Sequence, residues 1–269
     1  MKHISLLAVV LAIFVCMPNA NAKRKSKESK NPLEIVVKDS VSADYKKVTK
    51  DSQKQKGLFT TLYNAKEGKL YFEMPDSVFS KTYILANRIA ATSNTRDFVA
   101  GQMATTPLLI KFSKDERRVY MHEIQSSELV SESDPVKLSY DKNFYDPVIK
   151  GFKIVAENKG DVVIDVTDFF ATNEKCISPI KQDNPLSKLF GGGNSLKGTF
   201  VADASGIISN KAFPNNIEIK SRLSFTLSLM NEPYSVIMHR SLFALPEEPM
   251  NMRLQDNRVG FFYSDKSIY

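Results

Sequence analysis

His122 and Glu123 are the residues best suited by type to do chemistry, adjacent in the fragment MHEIQS. A zinc peptidase helix needs His-Glu followed three residues later by a second His on the same face. Ser126 stands there instead, and the flanking residues alternate as a strand, which sends His122 and Glu123 to opposite faces. The chain has three histidines, His3, His122 and His239, and losing His3 with a leader leaves too few for a three-histidine zinc set. GGGNSLKGT spaces Gly193 and Gly198 like a phosphate loop, but Thr199-Phe200 replaces the Lys-Ser/Thr that would reach phosphate and magnesium. Asp161, Asp165 and Asp168 cluster near a strand end without the Gly and closing Glu of a calcium loop, and read as solvated edge charges. No G-x-S-x-G elbow occurs. The residues therefore assign no catalytic, cofactor-binding or metal-ligating position, and the chain is expected not to be an enzyme.

Ile4 to Val15 is an apolar run, and Ala20-Asn21-Ala22 offers small residues at the cleavage positions, so residues 1–22 read as a signal peptide. The run is shorter than the ~20 residues of a membrane span, and nothing after Ala22 approaches one. Acylation at Cys16 is the alternative, though Val15 stands where a lipobox has a small residue. The expected location is exported: periplasmic, outer-membrane-associated or secreted. With Cys16 removed, Cys176 has no partner for an intramolecular disulfide and reads as a partly buried thiol packing as a small apolar group. Of the formal net charge of +7, Lys2 leaves with the signal and KRKSKESK at 23–30 holds a net +4, so residues 31–269 carry only +2. That locates the basicity in a flexible linker, 23–44, and argues against nucleic acid as partner.

The expected fold is mainly β, with antiparallel hairpins in a small N-terminal β unit, 45–95, and a larger β domain, 96–269, with few short helices. LFTTLY and LYFEMP alternate around a turn in which Gly68 can take positive φ; Leu58, Leu62, Leu70 and Phe72 are the expected core contacts, with Thr61 and Glu73 facing water. PLLIKF and VYMHEIQ form a second hairpin, and FKIVAEN and DVVIDV a third around Lys159-Gly160. TDFFAT supplies one helical turn capped by Thr167 or Asp168, and a short helix is expected near SADYKKVTKDSQKQ. IEIKSRLSFTLSLM and YSVIMHRSLFALP are strands joined at Asn231-Glu232-Pro233.

Two loops, 88–103 and 181–198, are polar or glycine-rich and suit a stand-alone module binding peptide or glycan. The run LPEEPMNMRLQDNRVGFFYSD combines proline-stiffened backbone, alternating charge and aromatic anchors, the makings of a docking segment. Its candidate residues are Arg253, Asp256, Arg258, Phe261 and Phe262. The alternative is an edge strand packing on its own domain.

Several motifs in order, KGLFTTLYNAKEGKLYFEMPDSVFSKTYILANRIAATSN, VIDVTDFF, AFPNNIEI and VIMHRSLFALPEEPMNMRLQDNRVGFF, resemble the paired N-terminal domains of unknown function of secreted, Bacteroides-type zinc-dependent metalloproteases. The resemblance covers nearly all of 45–263. In such proteins the D-x-R-V-G-[YF]-F segment leads into a catalytic domain bearing H-E-x-x-H-x-x-G-x-x-H. This chain carries DNRVGFF at 256–262 and then stops at Tyr269 without a zinc motif. What the resemblance implies is a non-catalytic pro-segment or accessory region, truncated or split before the zinc-binding domain, whose partner is a metalloprotease catalytic domain in cis or trans.

Overall fold

The computed structural model describes residues 42–124, 128–180, 197–228, 231–248, 250–251, 258 and 267–268. The expected signal peptide, nearly all of the basic linker and loop residues 181–196 lie outside the described residues.

The first half contains α1 (Ala43–Thr49), β1 (Gln53–Gln55), β2 (Thr60–Asn64), β3 (Lys69–Met74), β4 (Thr82–Thr92), β5 (Leu108–Lys114), β6 (Arg118–Glu123), β7 (Glu128–Leu129) and α2 (Lys137–Asn143). The second contains β8 (Val148–Asn158), β9 (Asp161–Asp165), α3 (Thr167–Ala171), β10 (Gly198–Phe200), β11 (Gly206–Ala212), β12 (Asn216–Leu227), β13 (Pro233–Ala244) and β14 (Ser267–Ile268). The fold is mainly β, as expected: one curled antiparallel sheet ordered β1-β2-β3-β9-β8-β6-β5-β4-β13-β12, with β10 and β11 sharing the far edge of β12.

The hairpins follow their turn chemistry. Gly68 closes β2–β3 at φ 65°, and Lys159 and Gly160 close β8–β9 at φ 52° and 95°, the paired positive φ that a two-residue hairpin turn demands. Asn231 at φ 53° opens the turn into β13. The helix α1 begins where Ser42 accepts a hydrogen bond from the Tyr45 amide at 3.1 Å. In α3 the cap differs from expectation. Asp165, two residues upstream of Thr167, accepts from the Thr167 amide at 2.9 Å, which frees the buried Thr167 hydroxyl to accept from the Leu70 amide.

Strands 45–95 do not form a sheet of their own. β3 pairs with β9, and β4 lies between β5 and β13, so early and late segments are interleaved. The curl also brings the two sheet edges together. Leu58 N donates to Phe213 O at 2.6 Å, Asn210 Nδ2 to Thr61 Oγ1 at 2.7 Å, and Gln55 Oε1 accepts from Ala212 N at 3.1 Å. Gly57 sits at this seam, where a Cβ would lie 2.6 Å from the Phe213 carbonyl oxygen.

The curl buries both faces of β2 and β3, which overturns the water-facing assignment of Thr61 and Glu73. Thr61 points inward against Asn210, and Glu73 points outward but is covered by α1. Leu70 and Phe72 are core, as expected, whereas Leu62 is buried on the outer face with Tyr45, Ala156 and Val163. The inner face carries two apolar clusters. One surrounds Phe72, Leu85, Phe112, Ile164 and Phe169, and the other surrounds Ile89, Leu223, Phe225, Val236 and Met238. No described helix is long and apolar enough to cross a membrane.

Candidate functional site

Hairpin register determines what the chemically capable residues do. In β5–β6, Lys111 stands opposite His122, Phe112 opposite Met121 and Ser113 opposite Tyr120. Ser113 is therefore the diagonal neighbour of His122 on the outer face, while Glu123 falls opposite Ile110 on the other face. The expected separation of His122 from Glu123 holds. Among the described residues no group of three or more His, Cys, Asp or Glu could hold a metal ion.

His122 is buried beneath an arch, residues 144–147, that leads from α2 into β8. Its Nδ1 lies 3.1 Å from the Asp146 carbonyl, which can only accept, so Nδ1 carries the proton. Nε2 then accepts from the Ser113 hydroxyl at 2.7 Å. Tyr145 packs edge-on against the imidazole at 5.9 Å, Lys111 Nζ pairs with Asp146 Oδ2 at 2.6 Å, and the Glu123 amide donates to the Pro147 carbonyl at 3.0 Å. Ser113 and His122 have the separation of a nucleophile and its base. Their third partner, however, is the arch that seals the ring, so these bonds fasten the arch to the sheet.

Above this fastening lies an apolar surface. Among the described residues, half of the ten large hydrophobics that stand exposed, Val136, Leu138, Phe144, Tyr145 and Val148, fall on α2, its N-terminal edge and the arch. Leu138 is 68% exposed and Tyr145 70%, and α2 has no buried residue. Tyr140 and Phe144 stack at 4.8 Å, and Lys137 bonds Asp141 at 2.7 Å one turn along, so the helix is held by its own side chains with its apolar residues outward. Exposed apolar side chains grouped this way form the candidate surface. Sequence reading missed this surface. Its signal was a cluster of large apolar residues within the polar run SESDPVKLSYDKNFYDPV, following neither period two nor a helical stripe.

Among the residues expected to dock, Arg258 is an exposed turn residue, while Arg253, Asp256, Phe261 and Phe262 lie outside the described residues. Just beyond them β14 pairs in parallel with β7, Ser267 against Glu128 and Ile268 against Leu129, on the segment between β6 and α2. The loop at 88–103 folds back along β4: Ile89 N donates to Gln102 O at 2.9 Å and Gly101 N to Ile89 O at 2.7 Å, with Phe98 packed on the second inner cluster. Cys176 packs partly buried against the first cluster, and burial raises its thiol. Asp165 pairs with Lys69 at 3.0 Å.

A second polar assembly anchors α1. Glu73 accepts from the Tyr45 hydroxyl at 3.0 Å and 3.1 Å, from Asn158 Nδ2 at 2.6 Å and from Lys54 Nζ at 2.8 Å, and Lys54 also donates to the Tyr45 oxygen at 2.7 Å. Burial alone would raise the Glu73 carboxyl, but the bonds from Lys54, Asn158 and Tyr45 outweigh it and hold the group below its ordinary value. Every lone pair in use faces a donor from the chain itself, so the assembly is structural.

A curled antiparallel sheet that buries its inner face and leaves apolar side chains exposed along α2 and the arch defines the class: a mainly β domain. The chain belongs to the family described as Domain of unknown function (DUF5117), which matches residues 101–269, and a second one, Domain of unknown function (DUF5118), matches residues 42–92. The boundary between the two falls at the end of β4, a strand hydrogen-bonded on both sides to strands of the other match, so both fold into one sheet. No curated protein and no solved structure matches the chain.

Proposed function

We propose that this chain is an exported, non-catalytic accessory module that docks a zinc-dependent peptidase domain, in cis or trans, through the apolar face of α2 and the arch. The observation that carries the reading is the exposed set Leu138, Phe144, Tyr145 and Val148 on a support pinned through His122. Two further points support it. The motifs resemble the regions that precede such peptidase domains, and β14 leads the chain past the candidate docking run to the strand preceding α2. Export is supported by the leader-like residues 1–22.

The test is size-exclusion chromatography of the full chain mixed with a zinc peptidase domain encoded in the same or an adjacent reading frame, its catalytic Glu replaced by Gln. Co-elution that is lost in Leu138→Asp and Tyr145→Asp supports the reading. Separate elution, or casein cleavage by the chain alone with zinc added, contradicts it. Retention of a peptide or glycan through 88–103 in place of the peptidase domain would make the chain a stand-alone binding module.

A further inference from the structure

Between the two inner apolar clusters runs a polar layer. Asn87 on β4 and Arg240 on β13 are direct cross-strand partners, and Arg240 stands opposite Ile219 on β12, two residues from Ser221. Arg240 is 1% exposed and Asn87 0%. Arg240 Nη1 donates to the Phe170 carbonyl at 2.7 Å and to the Ser221 hydroxyl. Among the described residues its Nε and Nη2 have no partner, and neither has Asn87 Oδ1.

The charge is also unbalanced. Among the described residues no carboxylate pairs with Arg240, and the titratable group acting on it is the Cys176 thiol, which burial keeps neutral. Burial pushes the guanidinium down to about 9, so it remains a cation at pH 7. A buried cation with two idle nitrogens, Nε and Nη2, is among the least tolerated arrangements in a protein interior. Nε and Nη2 form one side of the guanidinium fork, a geometry made for an anion.

The neighbours can supply the remaining donors. Asn87 Nδ2 contacts the Thr105 hydroxyl at 3.1 Å, and a hydroxyl both donates and accepts. Turning the amide over lets Thr105 donate to Oδ1 and aims Nδ2 inward. Ser221 accepts from Arg240, leaving its own proton to give. The resulting set, Nε, Nη2, Nδ2 and O–H, consists entirely of donors. Its neighbours along and across the strands on the same face, Leu85, Ile89, Ile219, Met238 and Leu242, are all buried, so an occupant would have to be small.

We propose that Arg240, Asn87 and Ser221 hold a small monovalent anion, of halide or formate size, inside the curled sheet. Such an ion joins β4, β12, β13 and the end of α3 at the layer where the two apolar clusters meet. It rests on none of the docking argument.

The test is thermal unfolding of the full chain as sodium gluconate, too large for the site, is replaced by sodium bromide or sodium formate at constant ionic strength. The melting temperature should rise by roughly 3–5 °C for each tenfold increase above the dissociation constant. A response to bromide without formate identifies a halide site, and a response to both a site for small anions generally. Asn87→Asp places a carboxylate against Arg240, so it should melt higher than wild type in gluconate and lose the anion response; Arg240→Met should lose the response as well. Crystals soaked in bromide should show an anomalous peak within hydrogen-bond distance of Nε and Nη2. A wild-type melting temperature indifferent to the exchange, an unchanged response in Asn87→Asp, or a peak absent with only water at the site would overturn the proposal.

Discussion

Replacing Glu73 by Gln tests whether the assembly under α1 stabilises the fold through charge. The side chain is 3% exposed and its two oxygens receive four hydrogen-bond contacts from three donors. Gln preserves the shape but turns one acceptor into an NH₂ group that faces a donor, either Lys54 or Asn158. Breaking a buried, fully bonded ion pair costs about 3–5 kcal/mol. Lys54 is 39% exposed and screened accordingly, which lowers the expectation to about 2–3 kcal/mol. For a domain of this size that is a fall in Tm of roughly 4–12 °C. The sign with pH is also fixed. The folded carboxyl lies below its ordinary value, so its contribution is present above the unfolded pKa and is lost as pH falls through the folded one. Urea unfolding of wild type and Glu73→Gln at pH 7 should show the full gap, and the gap should shrink once pH drops below about 4.5. A gap within about 0.5 kcal/mol at pH 7, or one that does not change on acidification, refutes the reasoning.

Gly57→Ala should destabilise by about 3 kcal/mol in denaturant titration, because the new Cβ meets the Phe213 carbonyl oxygen at 2.6 Å and the Phe213 nitrogen at 2.7 Å, both backbone atoms that cannot swing away. Near-wild-type stability would mean that the seam between the sheet edges is loose. Asp161 has its carboxyl raised, first by burial and then by the charges of Glu73 and Asp76. Its contribution is therefore present below the unfolded pKa and is lost as pH rises through the folded one, so Asp161→Asn should raise stability at pH 7 and leave it unchanged at pH 3 in the same assay.

The hairpins were legible because their information is local. Lys159-Gly160 between β-branched runs specifies the turn and therefore the register of β8 and β9. What sequence could not show was which faces the curl would cover. Thr61 and Glu73 alternate with apolar neighbours as water-facing residues do, yet one meets Asn210, 149 residues away, and the other lies under α1. Arg240 is similar: its place in a strand is plain, but its burial depends on β4, β12 and α3 converging. The division near residue 95 coincides with the gap between the two family matches, while β4 hydrogen-bonds on both sides to later strands, a pairing that no local pattern announces. For the site, the placement of His122 and Glu123 on opposite faces followed from strand alternation. The partnership of His122 with Ser113 required the hairpin register, and the exposed face at 136–148 required knowing that α2 buries none of its residues.

The proposed docking depends on that face. Isothermal titration of the full chain with the inactivated zinc peptidase domain should show saturable binding. Leu138→Asp and Tyr145→Asp should each weaken it at least about 30-fold, the loss of a buried anchor worth about 2 kcal/mol or more, with thermal stability unchanged in Leu138→Asp, whose side chain is not part of the fastening at His122. Binding that survives both substitutions, or no binding by the wild-type chain, would contradict it.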